Sequence, residues 1–191
     1  FVAMTPMQVY NSLQVPEEKK ILENILTLLI GGGSINKELE AELSSFPNGI
    51  FSTYGMTETL SHIALRGISA PFASEYYTPF PSVKLSLSPE ETLVIDAPLV
   101  CDEVLQTNDI VELLPDGRFK VLGRKDNVIN CGGIKIQIEQ LEEKLAPYIN
   151  SPFAIASLPD AKFGEVPVLL VTGEIDKEKL ATLLHRYEQP R

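Results

Sequence analysis

The stretch Ile50-Phe51-Ser52-Thr53-Tyr54-Gly55-Met56-Thr57-Glu58-Thr59 carries the strongest structural signal in this chain. Its first half is a short apolar run that ends at Gly55, which predicts a buried strand followed by a tight turn. Its second half places hydroxyl and carboxylate side chains directly after the turn and close to an aromatic ring. A ring face, a phosphate hydrogen bond and a metal ligand can therefore be offered together, which predicts a nucleotide site.

An earlier apolar run over residues 25–30 predicts a second buried strand, and it ends at the turn Gly31-Gly32-Gly33-Ser34. One helix is predicted to begin at Pro16, and another covers residues 36–43 between the two strands. This strand–helix–strand order predicts a parallel sheet. The glycine turn and Tyr54 then both follow the carboxyl ends of strands, where ligands of open α/β sheets gather. A glycine run alone is weak evidence, because glycines are common wherever a strand turns sharply.

Beyond residue 79 the pattern changes to short β segments. Residues 83–87 and 92–95 predict one hairpin or a small barrel. A second pair of strands, over residues 110–114 and 118–122, is joined by Pro115-Asp116-Gly117, which is a strong hairpin signal.

After Asp126 the sequence predicts three strands and two helices, the last helix over residues 176–187. These elements form a compact α+β unit. We therefore predict an α/β plus α+β fold with one domain over residues 1–125 and a second over residues 126–191. The boundary is placed at Asp126 because a polar, charged turn there separates two sets of elements that can each pack separately.

The composition is that of a globular chain with an acidic balance. Its 191 residues are 44% hydrophobic, and 16 basic against 26 acidic residues give a net charge of -10. Because negative charge repels phosphate backbones, nucleic acid is not an expected partner, whereas a single nucleotide held with Mg²⁺ is compatible with that charge. The longest apolar run is too short to cross a bilayer, and the first residues lack a signal-peptide pattern. We expect a cytoplasmic protein without membrane insertion.

Cys101 and Cys131 stand apart from each other and from His62 and His185, so neither a zinc-ligand spacing nor a disulfide framework is visible. Two free thiols in a reducing compartment are expected. The chain opens at Phe1 without an initiator methionine, and we expect it to be a fragment.

Three later segments extend the opening pattern: Thr107-Asn108-Asp109, Gly123-Arg124-Lys125-Asp126 and a glycine-rich segment up to Glu142. Together with the opening stretch they resemble the adenylate-forming (AMP-binding) acyl-CoA synthetase superfamily, whose members join a carboxylic acid to AMP and then to a thiol. The resemblance spans nearly the whole chain. It implies ATP, Mg²⁺ and coenzyme A as cofactors. It also implies a fold made of the C-terminal part of a large domain, with a parallel sheet and a small β subdomain, followed by a small mobile α+β domain.

The resemblance implies an ATP/AMP site in the first part of the chain. Tyr54 would stack on adenine, against which the glycine turn also lies. Thr57 would contact the AMP phosphate and Glu58 would hold Mg²⁺, so these two are the expected catalytic residues. The full set of matched positions is Gly32, Gly33, Ser34, Tyr54, Gly55, Thr57 and Glu58.

In the second part of the chain, the resemblance implies that Asp109 accepts hydrogen bonds from the ribose hydroxyls. Asn108 replaces the glycine of that turn, and since asparagine tolerates the left-handed conformation we expect the turn to be kept. Arg124 would reach the nucleotide, and Asp126 would be the hinge. The pair Gly132-Gly133 would line the approach of coenzyme A, and a plain hairpin turn there is compatible with that role.

Two features of the superfamily are not found in the sequence. One is a Ser/Thr/Gly-rich phosphate loop that ends in lysine, and the other is a C-terminal Gly-Lys segment whose lysine activates the carboxylate. Lys135 and Lys162 stand in the wrong context to replace that lysine. We therefore expect an acid–thiol ligase as the parent protein and no turnover by this chain alone.

Residues 51–66 and the segment from Ala97 to Asp109 resemble the o-succinylbenzoate-CoA ligases of bacterial menaquinone biosynthesis. The resemblance implies o-succinylbenzoate as the small-molecule carboxylic acid, with Ser61 and His62 at the border of its pocket. A structural His62 packed in the fold is an equal alternative. Three other functions stay open: a different acyl- or aryl-CoA ligase, a carrier-protein-loading adenylation domain, and a non-catalytic binding or assembly module.

Overall fold

The structure is a computed structural model, and it describes residues 1–190. The chain divides into two compact units. The first contains Phe1–Thr107 and Glu112–Lys120, and the second contains Asn108–Val111 and the chain from Val121 onward. The predicted hinge at Asp126 lies inside the second unit and stays a prediction.

The first unit contains a five-stranded sheet whose strands follow in chain order. Its first three strands run parallel, and the last two are antiparallel to their neighbours, so the sheet is mixed. The parallel pair predicted from the strand–helix–strand order is confirmed. The strands are β1 (Val2–Met4), β2 (Thr27–Ile30), β3 (Gly49–Gly55), β4 (His62–Gly67) and β5 (Thr78–Pro79).

Three helices accompany this sheet: α1 (Pro6–Leu13), α2 (Pro16–Asn24) and α3 (Lys37–Ser44). The predicted starts of the second and third helices are confirmed. Proline at the first helical position suits the entry into α1 and α2, because its fixed φ angle fits the first turn and it lacks only an N–H that would be unpaired there. Asn36 caps α3 by accepting a hydrogen bond from the backbone N–H of Leu39 at 2.8 Å. β1 and α1 lie outside the sequence predictions.

The core of the first unit lies between the helices and the sheet. On α3, the buried Leu39 and Leu43 are four residues apart and therefore share one face of the helix. The buried members of this core are Val9, Leu13, Leu22, Leu28, Ile30, Leu39, Leu43, Phe46, Ile50 and Ile68.

A second sheet has four strands in chain order: β6 (Lys84–Leu87), β7 (Thr92–Asp96), β8 (Leu105–Leu113) and β9 (Phe119–Arg124). Both predicted hairpins are present. In the β8–β9 turn, Gly117 has φ +87 and Leu114 N–H donates to the Arg118 carbonyl at 2.8 Å. β8 and β9 contribute residues to both units.

The second unit contains a four-stranded sheet in the order β11-β10-β13-β12, with every neighbouring pair antiparallel. The buried side chains of this unit come from the sheet, from both of its α-helices and from Ile149 and Leu184, which follow the helices. The strands are β10 (Val128–Cys131), β11 (Ile134–Gln137), β12 (Phe153–Asp160) and β13 (Gly164–Val171), and the helices are α4 (Ile138–Leu145) and α5 (Lys177–Leu183).

The last helix is shorter than predicted. α5 ends at Leu183, not at Tyr187, because Leu184 leaves the helical conformation with φ -112 and ψ 142. Leu184 is buried in the core of the second unit, and the chain then turns, with Glu188 N–H donating to the His185 carbonyl at 2.9 Å. Among the described residues, none of the helices combines the length and the apolar character needed to cross a membrane.

A partly buried ion pair connects α3 to the sheet. Arg66 on β4 donates from Nη2 to Glu40 Oε2 at 2.8 Å, and its Nη1 contacts the other carboxylate oxygen. The Arg66 side chain is 14% exposed and its guanidinium lies 5.6 Å from the centre of the Tyr77 ring. The hydrogen bond to Glu40 raises the pKa of Arg66 above its usual value.

Replacing Glu40 by alanine is expected to destabilise the first unit, because the partly buried guanidinium loses its acceptor. We expect Glu40→Ala to lower the free energy of unfolding by about 1–3 kcal/mol, measured by urea denaturation. Glu38→Ala is the matched control. Glu38 is an exposed residue in the first turn of the same helix, so its removal is expected to cost less than about 1 kcal/mol through the helix dipole. Equal losses in the two variants would contradict the role of the pair.

Candidate functional site

The glycine turn and Tyr54 lie at the same edge of the first sheet. Gly31 follows β2 directly, and Tyr54 and Gly55 are the last residues of β3. Because the two strands are parallel, with Ile30 paired to Ser52, their carboxyl ends are adjacent. The structure therefore brings together the two segments to which the sequence assigns the adenine.

Within the turn, Gly31 is the position where packing excludes a side chain. A Cβ atom at Gly31 would collide with Thr53 Oγ1. Gly32 has φ +79, which favours glycine for its backbone conformation, and Gly33 and Ser34 are exposed. Gly31 is not among the site residues predicted from the sequence, because only the register of β2 against β3 shows that Thr53 lies beside it.

The Tyr54 ring is held by other aromatic side chains of the first unit. It is half-buried and packs edge-on against Phe119, with the ring centres 5.0 Å apart, while the Tyr77 ring lies 5.8 Å away. Tyr77 is itself tied to the sheet by a hydrogen bond of 2.8 Å between its hydroxyl and Ser52 Oγ. The partly exposed, well-supported ring suits the stacking of a planar base.

Thr57 and Glu58 lie in a short 3₁₀ helix, Thr57–Thr59, directly after the strand. Both side chains are exposed, whereas Thr59 is fully buried. Thr59 Oγ1 accepts a hydrogen bond from Met56 N–H at 3.1 Å and donates towards the Ser61 carbonyl at 2.7 Å. Thr59 thus holds the turn that points Thr57 and Glu58 outward. Thr59 is not among the predicted site residues. The sequence feature that indicates its role is a second threonine hydroxyl two residues after Thr57.

The donor set at this turn fits Mg²⁺ only together with a phosphate ligand. Among the described residues, no group of three or more histidine, cysteine, aspartate or glutamate side chains could hold a metal ion. Mg²⁺ is commonly bound through one or two carboxylates plus substrate phosphates. A single exposed carboxylate at Glu58, next to the Thr57 hydroxyl, fits that mode of binding.

Ser61 and His62 follow the same turn. Ser61 Oγ and His62 Nδ1 are 3.1 Å apart and form a hydrogen bond. The His62 ring is half-buried and packs edge-on against Phe80, with ring centres 5.5 Å apart. The packing against Phe80 is what a structural histidine would show. The His62 ring is also partly exposed, which is compatible with the predicted position at the border of an acyl pocket.

In the second unit, Arg124 lies between two aspartates. Its Nη2 donates to Asp126 Oδ2 at 2.9 Å, and its Nη1 is 3.6 Å from Asp109 Oδ1. The hydrogen bond from Arg124 lowers the pKa of Asp126, and the same bond raises the pKa of Arg124. Two of the predicted nucleotide ligands, Asp109 and Arg124, are therefore neighbours in the structure.

The turn predicted at Thr107-Asn108-Asp109 is wrong. These residues lie inside the extended strand β8, and Asn108 does not have a positive φ angle. The ladder of the four-stranded sheet holds this segment extended, so asparagine at this position needs no left-handed conformation.

Gly132 and Gly133 form the two-residue turn between β10 and β11, with φ +60 and +86. Two successive positive φ angles are typical of a tight hairpin turn that glycine favours. Backbone conformation alone accounts for both glycines, and both are exposed. Their role in the approach of coenzyme A stays a prediction.

The chain is similar in sequence and in fold to AMP-forming acyl-CoA synthetases. An acyl-CoA synthetase (AMP-forming)/AMP-acid ligase II-like protein from Dyadobacter fermentans is 32% identical and superimposes with a TM-score of 0.65, over 100% of this chain and 58% of that protein. No family model matches the chain. The predicted resemblance and the predicted fold class are confirmed.

Within this class the chain resembles the 2-succinylbenzoate--CoA ligases. The enzyme of that name from Lactococcus lactis is 28% identical over 190 residues, which cover 88% of this chain and 42% of the enzyme. Escherichia coli MenE superimposes with a TM-score of 0.76 at 23% identity, over 98% of this chain and 45% of that protein. The chain thus spans about half the length of these three relatives, from 42% to 58%.

Removing the Arg124 guanidinium is expected to raise the pKa of Asp126, because the carboxylate loses its hydrogen-bond donor. Its carboxylate is stabilised in the folded state, so Asp126 contributes stability above its unfolded pKa and loses that contribution as the pH falls through its lower folded value. We expect Arg124→Gln to raise the pKa of Asp126 towards its usual range, measured by NMR titration of the carboxyl carbon. Asp116, whose pKa is lowered by Arg118, is the internal control and is expected to stay unchanged. A low pKa of Asp126 in the variant would contradict the pairing.

A side chain at Gly31 is expected to disturb the site by overpacking. We expect Gly31→Ala to lower the free energy of unfolding by about 1–3 kcal/mol in chemical denaturation, because the new Cβ meets Thr53 Oγ1. Gly33→Ala is the control, since a Cβ there would have only ordinary contacts with Pro6, the nearest atoms being 3.9 Å away. Thr53→Ala is expected to restore stability to Gly31→Ala. Equal losses at Gly31 and Gly33 would refute the close approach.

Proposed function

We propose that the protein that carries this chain is an ATP-dependent acid–thiol ligase, which forms an acyl-adenylate and then an acyl-CoA. The proposal goes on to o-succinylbenzoate as the acid and to menaquinone biosynthesis as the pathway. The observation that carries it is the edge of the first sheet, where the glycine turn, the Tyr54 ring and the Thr57–Glu58 turn follow adjacent parallel strands. The similar proteins are named as a CoA ligase and as an AMP-forming acyl-CoA synthetase, which supports the class.

At that edge each side chain has a proposed task. The Tyr54 ring stacks on adenine, and the glycine turn leaves the base free to lie against the backbone. The Thr57 hydroxyl donates a hydrogen bond to a phosphate oxygen, and the Glu58 carboxylate would hold Mg²⁺. When bound, the ion neutralises charge on the phosphates of ATP. Solved structures of Bacillus subtilis MenE contain ATP with a magnesium ion, and the acyl-adenylate intermediate, which supports the same ligands here.

Two residues of the second unit are also proposed as nucleotide ligands. The Asp109 carboxylate is proposed to accept hydrogen bonds from the ribose hydroxyls, and Arg124 to reach the nucleotide. Arg124 is bound to Asp126 in the structure, so its engagement of a nucleotide would exchange one anionic partner for another. We propose Asp126 as the pivot of the conformational step between the half-reactions, with Gly132-Gly133 on the route of the thiol.

The most specific part of the proposal is the identity of the carboxylic acid. Ser61 and His62 lie just beyond the proposed metal turn in the chain, which supports a role at the border of the acid pocket. The name of the Lactococcus lactis relative supports o-succinylbenzoate. A different acyl- or aryl-CoA ligase is the second candidate, because the Dyadobacter fermentans relative is more similar in sequence and its description names no particular acid.

Pyrophosphate release by the full-length protein tests class and substrate together. With ATP, Mg²⁺ and o-succinylbenzoate we expect release, and with benzoate, a fatty acid or an amino acid we expect none. Glu58→Gln is expected to lower the rate by about 10- to 100-fold, as for loss of a group that positions a metal. Glu38→Gln removes an exposed carboxylate elsewhere and is expected to leave the rate unchanged.

The other outcomes each point elsewhere. Release with another acid would keep the mechanism and replace the substrate. The absence of pyrophosphate release with every acid would favour a non-catalytic binding or assembly module. The 191-residue chain assayed alone is expected to show no turnover, and measurable turnover by it would contradict the assignment of the phosphate loop and the activating lysine to sequence outside this chain.

A further inference from the structure

A group of polar side chains at the start of α4 fastens the segment that contains the proposed pivot. Asn127 ends the 3₁₀ helix Lys125–Asn127, Gln137 is the residue before α4, and Glu139 lies in the first turn of α4. We name these three residues the Gln137 clasp. All three are half-buried, and they belong to the second unit.

The clasp is held together by one shared acceptor. Gln137 Nε2 donates to the Arg124 carbonyl at 2.9 Å and also contacts Glu139 Oε2. Asn127 Nδ2 donates to the other oxygen of the same carboxylate, Glu139 Oε1, at 2.7 Å. Hydrogen bonds to a carboxylate are stronger than those between neutral groups, so Glu139 fixes both amides at once.

The Gln137 side chain binds the Arg124 carbonyl and does not cap the N-terminus of α4. Gln137 occupies the N-cap position of α4, yet its side chain caps none of the helix N–H groups. Residues preferred at N-caps have shorter side chains that reach back to the helix. A longer side chain that extends to the Arg124 carbonyl indicates a role in holding the neighbouring segment.

Gly123 shows how closely the clasp packs on that segment. Gly123 is buried and has φ +155, and a Cβ atom there would overlap Gln137 Nε2 and lie 2.7 Å from Glu139 Oε2. The glycine therefore permits the approach of both side chains.

The hydrogen bonds donated by the side-chain amides of Gln137 and Asn127 differ in their position relative to Asp126. Arg124 and Gln137 lie on opposite sides of Asp126 in the chain, so the bond between them crosses the proposed pivot. Asn127 and Glu139 both follow Asp126, and their bond would survive a rotation there. A rotation at Asp126 would therefore break the Gln137–Arg124 bond.

We infer that Gln137 and Glu139 are positioning residues that hold the segment of Arg124 and Asp126 in the conformation of this structure, and so set the balance between the two half-reactions. The inference rests on the proposed ligase function for its effect on catalysis. The fastening itself is independent of that function.

Limited trypsin digestion tests the fastening directly. Arg124 and Lys125 are exposed cleavage sites inside the held segment, and Lys162 is an exposed site in the turn between β12 and β13 of the same unit. We expect Gln137→Met to raise cleavage after residues 124 and 125, relative to cleavage after Lys162, by about fivefold, the size expected for one lost hydrogen bond. Glu139→Gln is expected to act in the same direction, because it removes the shared charged acceptor.

Gln140→Met is the matched control. Gln140 is exposed in the same turn of α4, outside the clasp. In Gln140→Met, cleavage after residues 124 and 125 relative to cleavage after Lys162 is therefore expected to equal that of the wild type. An unchanged ratio in Gln137→Met would overturn the fastening. An equal rise at all three sites in Gln137→Met, or the same rise in Gln140→Met, would indicate general loosening and would also overturn it.

Separate assays of adenylate formation and thioester formation in the full-length protein test the effect on catalysis. We expect Gln137→Met to change the ratio of the two rates by about fivefold, whereas a merely structural residue would lower both rates equally. An equal loss in both steps would overturn the positioning role. If the wild-type protein forms no adenylate with any acid, the ligase proposal fails and the trypsin ratio alone decides whether the clasp holds the segment.

Discussion

The parallel pairing of β2 with β3 is the constraint on which the candidate site depends. It brings the carboxyl ends of two strands to one edge, so that a glycine turn and an aromatic–threonine–glutamate turn become neighbours although more than twenty residues separate Gly31 from Tyr54. The pairing also aligns Thr53 with Gly31, which excludes a side chain there. A small residue in the turn is thus required by the sheet itself, before any ligand is considered.

Buried anchors hold the exposed functional groups of this edge. Tyr54 is supported by Phe119 and Tyr77, and the turn of Thr57 and Glu58 is held by the fully buried Thr59. The Thr57 and Glu58 side chains are exposed, so folding does not remove them from water. Their orientation is determined by neighbours that are themselves removed from water, which is how a rigid scaffold pre-organises a site.

In the second unit, polar and charged contacts hold the segment around Arg124. Arg124 faces Asp109 and Asp126, and the amides of Asn127 and Gln137 meet on Glu139. Polar contacts of this kind contribute little net stability at a surface but depend strongly on geometry. A segment held by them can exchange partners without the loss of a hydrophobic core, which suits a chain segment proposed to pivot during a catalytic cycle.

Local patterns in the sequence determined most of the strands and helices, the strand–helix–strand order, both hairpins and the resemblance to AMP-forming ligases, because each depends on residues close together in the chain. Only the tertiary structure decided three other points. Leu184 ends the last helix early because it is buried in a core built from distant residues, and Asn108 lies extended because a sheet ladder holds it. Gly31 and the Gln137 clasp depend on side chains that meet through strand register and chain folding, and no local pattern contains that information.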